Sequence, residues 1–300
     1  MLDSEVDLVS GPREEIHPIP PEQLRVFPQD ADIPKNALNG RIDQEFVPMA
    51  KVELPLAGAF EAWKNDLLSQ LRRMSFHNFP ERIPAAQLLE KSSSEVMRLT
   101  TEPGISVRLR AARTPATQAE RVIVVVTSSE ANAVPPAWLD AFINGQDAVY
   151  VCEPRGLGAS QWTSKNPPNY VARSHYLLGR TVDSGRVWDI AATARCLRAI
   201  HNEQVPVHLA GENAAAVLAV YAALLAPDIA GLILSETPAS HKDDTAPALL
   251  NVLRVCDVPE AVGLLAPRPV TLLGKQLDWT AKALAIYRAA GAAERLVLKK

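Results

Sequence analysis

The sequence predicts an α/β protein with a doubly wound, mostly parallel sheet, preceded by an extended arm and one helix. Three observations predict it. Short β-branched or aromatic runs alternate with helical patterns from about residue 94 onward. Val122 to Val126 is a continuous apolar run, the mark of a strand buried on both faces. Strands separated by helices imply parallel pairing through right-handed crossovers.

The elements follow in order. Residues 1–57 are dense in proline (Pro12, Pro18, Pro20, Pro21, Pro28, Pro34, Pro48 and Pro55), which blocks helix interiors and central strands. They read as an extended arm or inter-module linker. Val26, Phe27, Ile33, Leu38, Ile42 and Phe46 are more apolar groups than a free linker carries, so the arm is expected to lie on a folded surface. Residues 58–93 hold an amphipathic helix over 58–76, with Phe60, Trp63, Leu67, Leu71 and Met74 on one stripe, ended by Pro80 and Pro84. The rest, 94–300, is the sheet domain. Glu95 to Thr100 and Ile105 to Ala112 flank Pro103-Gly104 and read as a hairpin. Strands are expected at 122–126, 148–152, 206–210, 231–234, 269–273 and 295–298. Helices are expected at 138–144, 187–203, 213–225, 248–255, 259–265 and 280–290.

Composition excludes several classes. The chain has 300 residues, 47% of them hydrophobic, and a net charge of −3. That balance gives no electrostatic footprint for nucleic acid. No apolar run approaches the roughly 20 residues of a membrane helix, and the acidic start Met1-Leu2-Asp3-Ser4-Glu5 is no signal peptide. The chain reads as soluble with no membrane partner, cytoplasmic as given, or extracytoplasmic if it is a fragment of a longer exported protein. Cys152, Cys196 and Cys256 lack metal-ligand spacing and sit in apolar contexts. Neither a metal nor a cofactor is expected.

Four places carry candidate chemistry. Glu153-Pro154-Arg155-Gly156-Leu157-Gly158-Ala159-Ser160 follows a buried strand, and its glycines permit a sharp turn. Arg155, Gly156, Gly158 and Ser160 are read as a structural loop, the alternative being Ser160 as nucleophile. Val207-His208-Leu209-Ala210-Gly211-Glu212-Asn213 runs from a strand into an Ala-rich helix, the context in which Gly-x-Ser-x-Gly presents a nucleophile. Here the position holds Asn213, whose amide has no ionisable oxygen to attack an ester; Asn also tolerates left-handed backbone. Pro267-Arg268-Pro269 precedes a late strand, with Asp278 beyond it in place to cap the following helix. Glu236 and His241 follow the strand at 231–234 and are placed for an acid–base pair, with Ser235 or Ser240 as nucleophile, or else for a plain loop. After the strand at 122–126, Glu130 would repel a developing oxyanion if it pointed inward.

Together these stretches resemble the α/β-hydrolase superfamily, most of all bacterial acetyl xylan esterase and prolyl-oligopeptidase-like hydrolases. The residues that carry the resemblance are Glu153 to Ser160, Gly211 to Leu225, Pro238 to His241, Leu253 to Pro259 and Ala266 to Asp278. Some members are long chains with two hydrolase-like modules, the C-terminal one often degenerate. Phe27 to Pro34, followed by Phe46-Val47-Pro48, looks like the bridge between such modules. The resemblance implies a sheet of α/β-hydrolase type and a triad whose acid matches Asp278 and whose nucleophile position holds Asn213. The triad His should follow the last strand, but no His lies beyond His241. The expectation is therefore a module without triad catalysis that stabilises or positions a partner, namely a catalytic hydrolase module upstream or in trans. The alternatives are an active ester hydrolase built on Glu236 and His241, and a small-molecule or glycan binding module.

Overall fold

A computed structural model describes residues 18–46, 49–56, 58–91, 93, 95–127, 134–162, 168–274 and 278–299. The chain divides into two units, 1–48 and 49–300. In the first, the described residues form two 3-10 turns, Pro21–Leu24 and Asp30–Asp32, and a single-turn helix α1 (Ile42–Phe46). Proline density accounts for the brevity of these elements.

The second unit carries helix α2 (Phe60–Met74), which buries Phe60, Leu67 and Leu71, as its periodicity predicts. Nine strands follow: β1 (Gln87–Lys91), β2 (Val96–Glu102), β3 (Ile105–Arg113), β4 (Arg121–Val126), β5 (Asp147–Glu153), β6 (Val207–Glu212), β7 (Ile229–Ser235), β8 (Val270–Leu273) and β9 (Leu296–Lys299). They form one sheet in the order β1-β2-β3-β5-β4-β6-β7-β8-β9. The pairs β1·β2, β2·β3 and β3·β5 are antiparallel, and every pair from β5 to β9 is parallel. The crossovers carry α3 (Pro168–Leu177), α4 (Val182–Ile200), α5 (Ala214–Leu225), α6 (Val258–Gly263) and α7 (Thr280–Ala289). This is the mostly parallel α/β sheet the sequence predicts. Among the described residues no helix is long and apolar enough to cross a membrane.

Alternation along the central strands divides the core by face. Val122, Val124, Val126, Val207 and Leu209 join a large cluster with residues of α2, α4, α5, α6 and α7. Ile123, Val125, Val149, Val151, Ala210 and Ile233 face the other way, against Leu139 of a 3-10 helix at Ala137–Phe142. That 3-10 helix stands where the sequence predicts a helix over 138–144.

Other differences have local causes. The edge strand β1 was not anticipated, because all five of its residues are exposed and it shows no burial alternation. Helix α3 was also not anticipated, since Tyr170, Tyr176 and Leu177 face solvent and give no buried stripe to read. The helix expected over 248–255 is one 3-10 turn, Val252–Arg254, behind Asn251 at φ 59°. That left-handed residue cannot continue a helix.

Arg268 explains the Pro-Arg-Pro stretch. One guanidinium nitrogen donates to the carbonyls of Ala223 (2.7 Å) and Ile229 (3.2 Å), so it pins the end of α5 to the start of β7.

Candidate functional site

Parallel α/β sheets present ligands at the carboxyl ends of their strands, and there Asn213 follows directly on β6. The strand-to-helix turn is tight. A Cβ added to Gly211 would lie 2.7 Å from the backbone of Ala215 and 2.9 Å from the nitrogen of Ala216. Only glycine lets α5 pack this close. Asn213 has φ 54° and ψ −128°. The positive φ agrees with the sequence reading, but ψ lies outside the left-handed helical region that Asn tolerates. The strained residue is held from both sides: its N–H donates to the Ser235 carbonyl of β7 (3.1 Å), and its own carbonyl accepts from Ala216 N–H (3.0 Å). The backbone of a nucleophile elbow is present, and it displays an exposed amide.

A cavity of about 260 Å³ opens beside it, walled by Asn213, Glu236, Thr237, Asp243, Leu273 and Trp279 among others. Glu236, the first residue past β7, also has a positive φ of 42°, and its N–H donates to Leu273 of β8 (2.9 Å). Asp243 accepts from the Thr245 N–H (2.9 Å) and hydroxyl (2.7 Å), which hold its carboxyl below the usual range. Thr237 Oγ1 is buried with no hydrogen-bond partner. The cavity thus gathers carboxylates, an amide and a hydroxyl, and among the described residues no histidine lines it.

His241 lies elsewhere. Its Nε2 is 2.9 Å from the Tyr221 hydroxyl and its Nδ1 3.3 Å from the Pro247 carbonyl. The carbonyl can only accept, so Nδ1 carries the proton and Nε2 accepts from Tyr221. Burial pushes the imidazole pKa down and the Tyr221 phenol up, so both groups stay neutral. The His241 N–H and the Ser240 hydroxyl both donate to Asp257 (2.8 and 2.5 Å), the N-cap of α6. This is a fastener between α5 and α6. The structure places Glu236 on the cavity and His241 on that fastener, so the two do not form the acid–base pair considered from the sequence. Ser240 is likewise committed to Asp257, and Ser235 is buried.

Asp278 is exposed in the turn before α7. The N-cap of α7 is Trp279, with no side-chain cap bond, so Asp278 does not cap the helix. Ser128 to Asn132, including Glu130, lie outside the described residues, as does His17. Of the remaining histidines, His201 Nε2 meets the Tyr150 hydroxyl at 2.6 Å and His175 Nδ1 meets the Val171 carbonyl at 2.8 Å. His208 lies near the start of β6, at the opposite edge of the sheet from Asn213.

The Arg155 loop is structural in detail. Arg155 is 4% exposed. Its side chain grips Asp189 of α4 through Nε (2.9 Å) and a terminal nitrogen (2.8 Å), and that terminal nitrogen also reaches Glu102 (2.6 Å). Asp189 is fully buried and accepts further from Arg155 N–H (2.9 Å) and Thr101 (2.6 Å). Burial opposes the Arg155 charge, but Asp189 and Glu102 outweigh it and raise its pKa. Gly185 makes room: a Cβ there would meet the guanidinium at 2.6 Å. Gly156 and Gly158 both have positive φ, and Ser160 Oγ donates to the Leu157 carbonyl (3.0 Å). Sequence reasoning missed Asp189 and Glu102 as partners. A lone carboxylate inside Val187-Trp188-Asp189-Ile190-Ala191 was the available signal, since a buried charge requires a partner. It also missed Thr237 and Asp243 on the cavity, which no local pattern marks.

No protein-family model and no curated protein matches the chain. Solved structures do. A Bacteroides fragilis protein described as an acetyl xylan esterase superposes with a TM-score of 0.64, at 11% identity over 81% of this chain and 76% of that one. A glucuronoyl esterase from Caldicellulosiruptor kristjansonii gives 0.54, at 14% identity over 80% of each chain. One from Sporotrichum thermophile gives 0.53, at 13% identity over 80% and 77%. The chain has the α/β-hydrolase fold that these esterases share.

Proposed function

We propose that this chain is a module of an esterase-like protein that keeps the hydrolase fold without triad catalysis and stabilises or positions a partner domain. The observation that carries the reading is Asn213 at the elbow of a cavity that no described histidine lines. Triad hydrolysis needs a nucleophile, a base within hydrogen-bond reach and an oriented acid. An amide cannot supply the first, and His241 is engaged on Tyr221 and Pro247. The partner we favour is a catalytic hydrolase module, upstream or in trans. Tyr176, Leu177 and Leu178 at the end of α3 are 51%, 82% and 73% exposed, an apolar surface suited to being covered.

The test is hydrolysis of a short-chain nitrophenyl ester. The isolated chain is expected to show background turnover only. Asn213→Ser should not rescue it, because none of the described histidines lines the cavity to activate the new hydroxyl; losing nucleophile or base typically costs about 10⁶ in kcat. Clear turnover by the unmodified chain, abolished by His241→Ala, would overturn the proposal.

The exposed polar side chains of Asn213 and Glu236 on the cavity support a second reading, as a site for a small polar molecule or glycan. Saturable binding of a xylo-oligosaccharide, weakened by Glu236→Gln, would favour this reading over the first.

A further inference from the structure

We propose that a second cavity, at the edge of the sheet where β6 and β7 begin, binds a phosphate group. This cavity of about 500 Å³ lies where the last turns of α4, the segment 82–85 and the residue preceding β7 meet. Asn213 stands at the other ends of these strands, so the proposal is independent of the function assigned to the elbow.

Three guanidinium groups line the cavity, Arg82, Arg195 and Arg198, against the carboxylates of Asp228 and Glu203, which leaves a net positive charge. Asp228 sets the geometry, with one oxygen accepting from Arg195 (3.1 Å) and the other lying 3.5 Å from Arg198. Arg198 Nε donates to the Glu203 backbone carbonyl (2.8 Å), so that side chain is fixed at both ends. Arg195 is fixed and incomplete. Its side chain is only 9% exposed, and its Nε is buried with no hydrogen-bond partner. A buried charged group that is incompletely bonded is costly, and an anion in the cavity that Arg195 lines would offset its charge. Arg82 is exposed and bonds none of the described residues, so its guanidinium is available to the same anion.

The chemistry selects phosphate over carboxylate. Guanidinium forks match oxyanions with paired N–H donors. Here the donors come from two chain segments, and a phosphate offers three terminal oxygens in divergent directions, whereas a carboxylate offers two in one plane. The carbonyl end of α4 opposes an anion with about half a charge, which the net positive charge of the side chains exceeds. The volume falls within the roughly 300–1,000 Å³ of small-molecule sites, enough for the organic part of a phosphate monoester as well as for the free ion.

The test is calorimetric titration of the full chain at low ionic strength, with inorganic phosphate and separately with a hexose phosphate. Saturable binding of at least one is expected. Arg82→Gln should weaken it about tenfold or more, the usual consequence of losing a charge-assisted contact. Because Arg82 is exposed and bonds none of the described residues, this variant should fold normally. Arg195→Lys keeps the charge and lacks the planar guanidinium fork; it should also weaken binding, with its melting temperature as the check on folding. Glu203→Gln should tighten it. Tighter binding of the hexose phosphate identifies a monoester as the ligand class, and equal binding identifies the free ion. Absence of saturable binding for both probes, or equal affinity of Arg82→Gln and the unmodified chain, would overturn the proposal.

Discussion

The fold constrains Arg155 by a buried carboxylate and Asn213 by its backbone. Arg155 neutralises Asp189, and removing it leaves a fully buried carboxylate without its counter-ion. Breaking a buried pair from one side typically costs about 3–5 kcal/mol. Arg155→Ala is therefore expected to lower the unfolding free energy from urea titration by an amount in that range; an unchanged free energy would show that the pair contributes nothing. Asn213 makes the opposite prediction. A non-glycine residue at φ 54°, ψ −128° stores strain, of order 1–3 kcal/mol. Glycine adopts that conformation freely but adds roughly 0.5–1 kcal/mol of unfolded-state entropy. Asn213→Gly should therefore stabilise the chain by about 1 kcal/mol in the same urea experiment, and a loss of stability would mean that the amide makes contacts worth more than the strain.

At the scale of the element, β6 carries two constraints, one near each end. Near its carboxyl end α5 lies directly on Gly211, and the obstructing atoms are backbone, which cannot rotate away. Gly211→Ala is expected to destabilise by about 1–3 kcal/mol, as overpacking does, with the loss visible in the thermal midpoint. Near its start, His208 is held neutral: burial, and then the Arg121 charge, lower its pKa from 6.5 to about 4, while Asp147 pulls the other way. The unfolded chain binds this proton below pH 6.5 and the folded chain only below about 4, so the stability is present above pH 6.5 and is lost as pH falls through that window. The full effect is about 3 kcal/mol. Burial also lowers the pKa values of His201 and His241, so His208→Gln should flatten the stability–pH profile only in part. A profile identical to that of the unmodified chain would refute this assignment.

For the whole molecule, the boundary at Met49 makes a further prediction. The sheet and its five longest helices all lie within 49–300. A chain beginning at Met49 is expected to unfold cooperatively with the thermal midpoint of the full chain; a lower midpoint would show that the arm contributes to stability. If the arm and the α3 surface engage a partner module, limited proteolysis should cut 1–57 quickly in the chain alone and slowly once that module is added. Equal cleavage in both would count against the partner role.

The fold was legible in the sequence because burial on both faces leaves a one-dimensional signature. The Val122 to Val126 run, the Ala-rich helix after Asn213 and the hairpin around Gly104 each encode their environment locally. Asn213 at the strand-to-helix turn was also legible, since it is the identity of a residue at a position that the order of elements defines. Elements that bury little, β1 and α3, left no such signature. What only the tertiary structure decided is which distant side chains meet. Arg155 pairs with Asp189 across 34 positions, and His241 with Tyr221 across 20. Glu236 and His241, five apart in sequence, are held on different partners. Spacing along a loop does not determine where its side chains point; the packing of α5 and α6 does, by supplying the acceptors and donors that a buried polar group cannot be without.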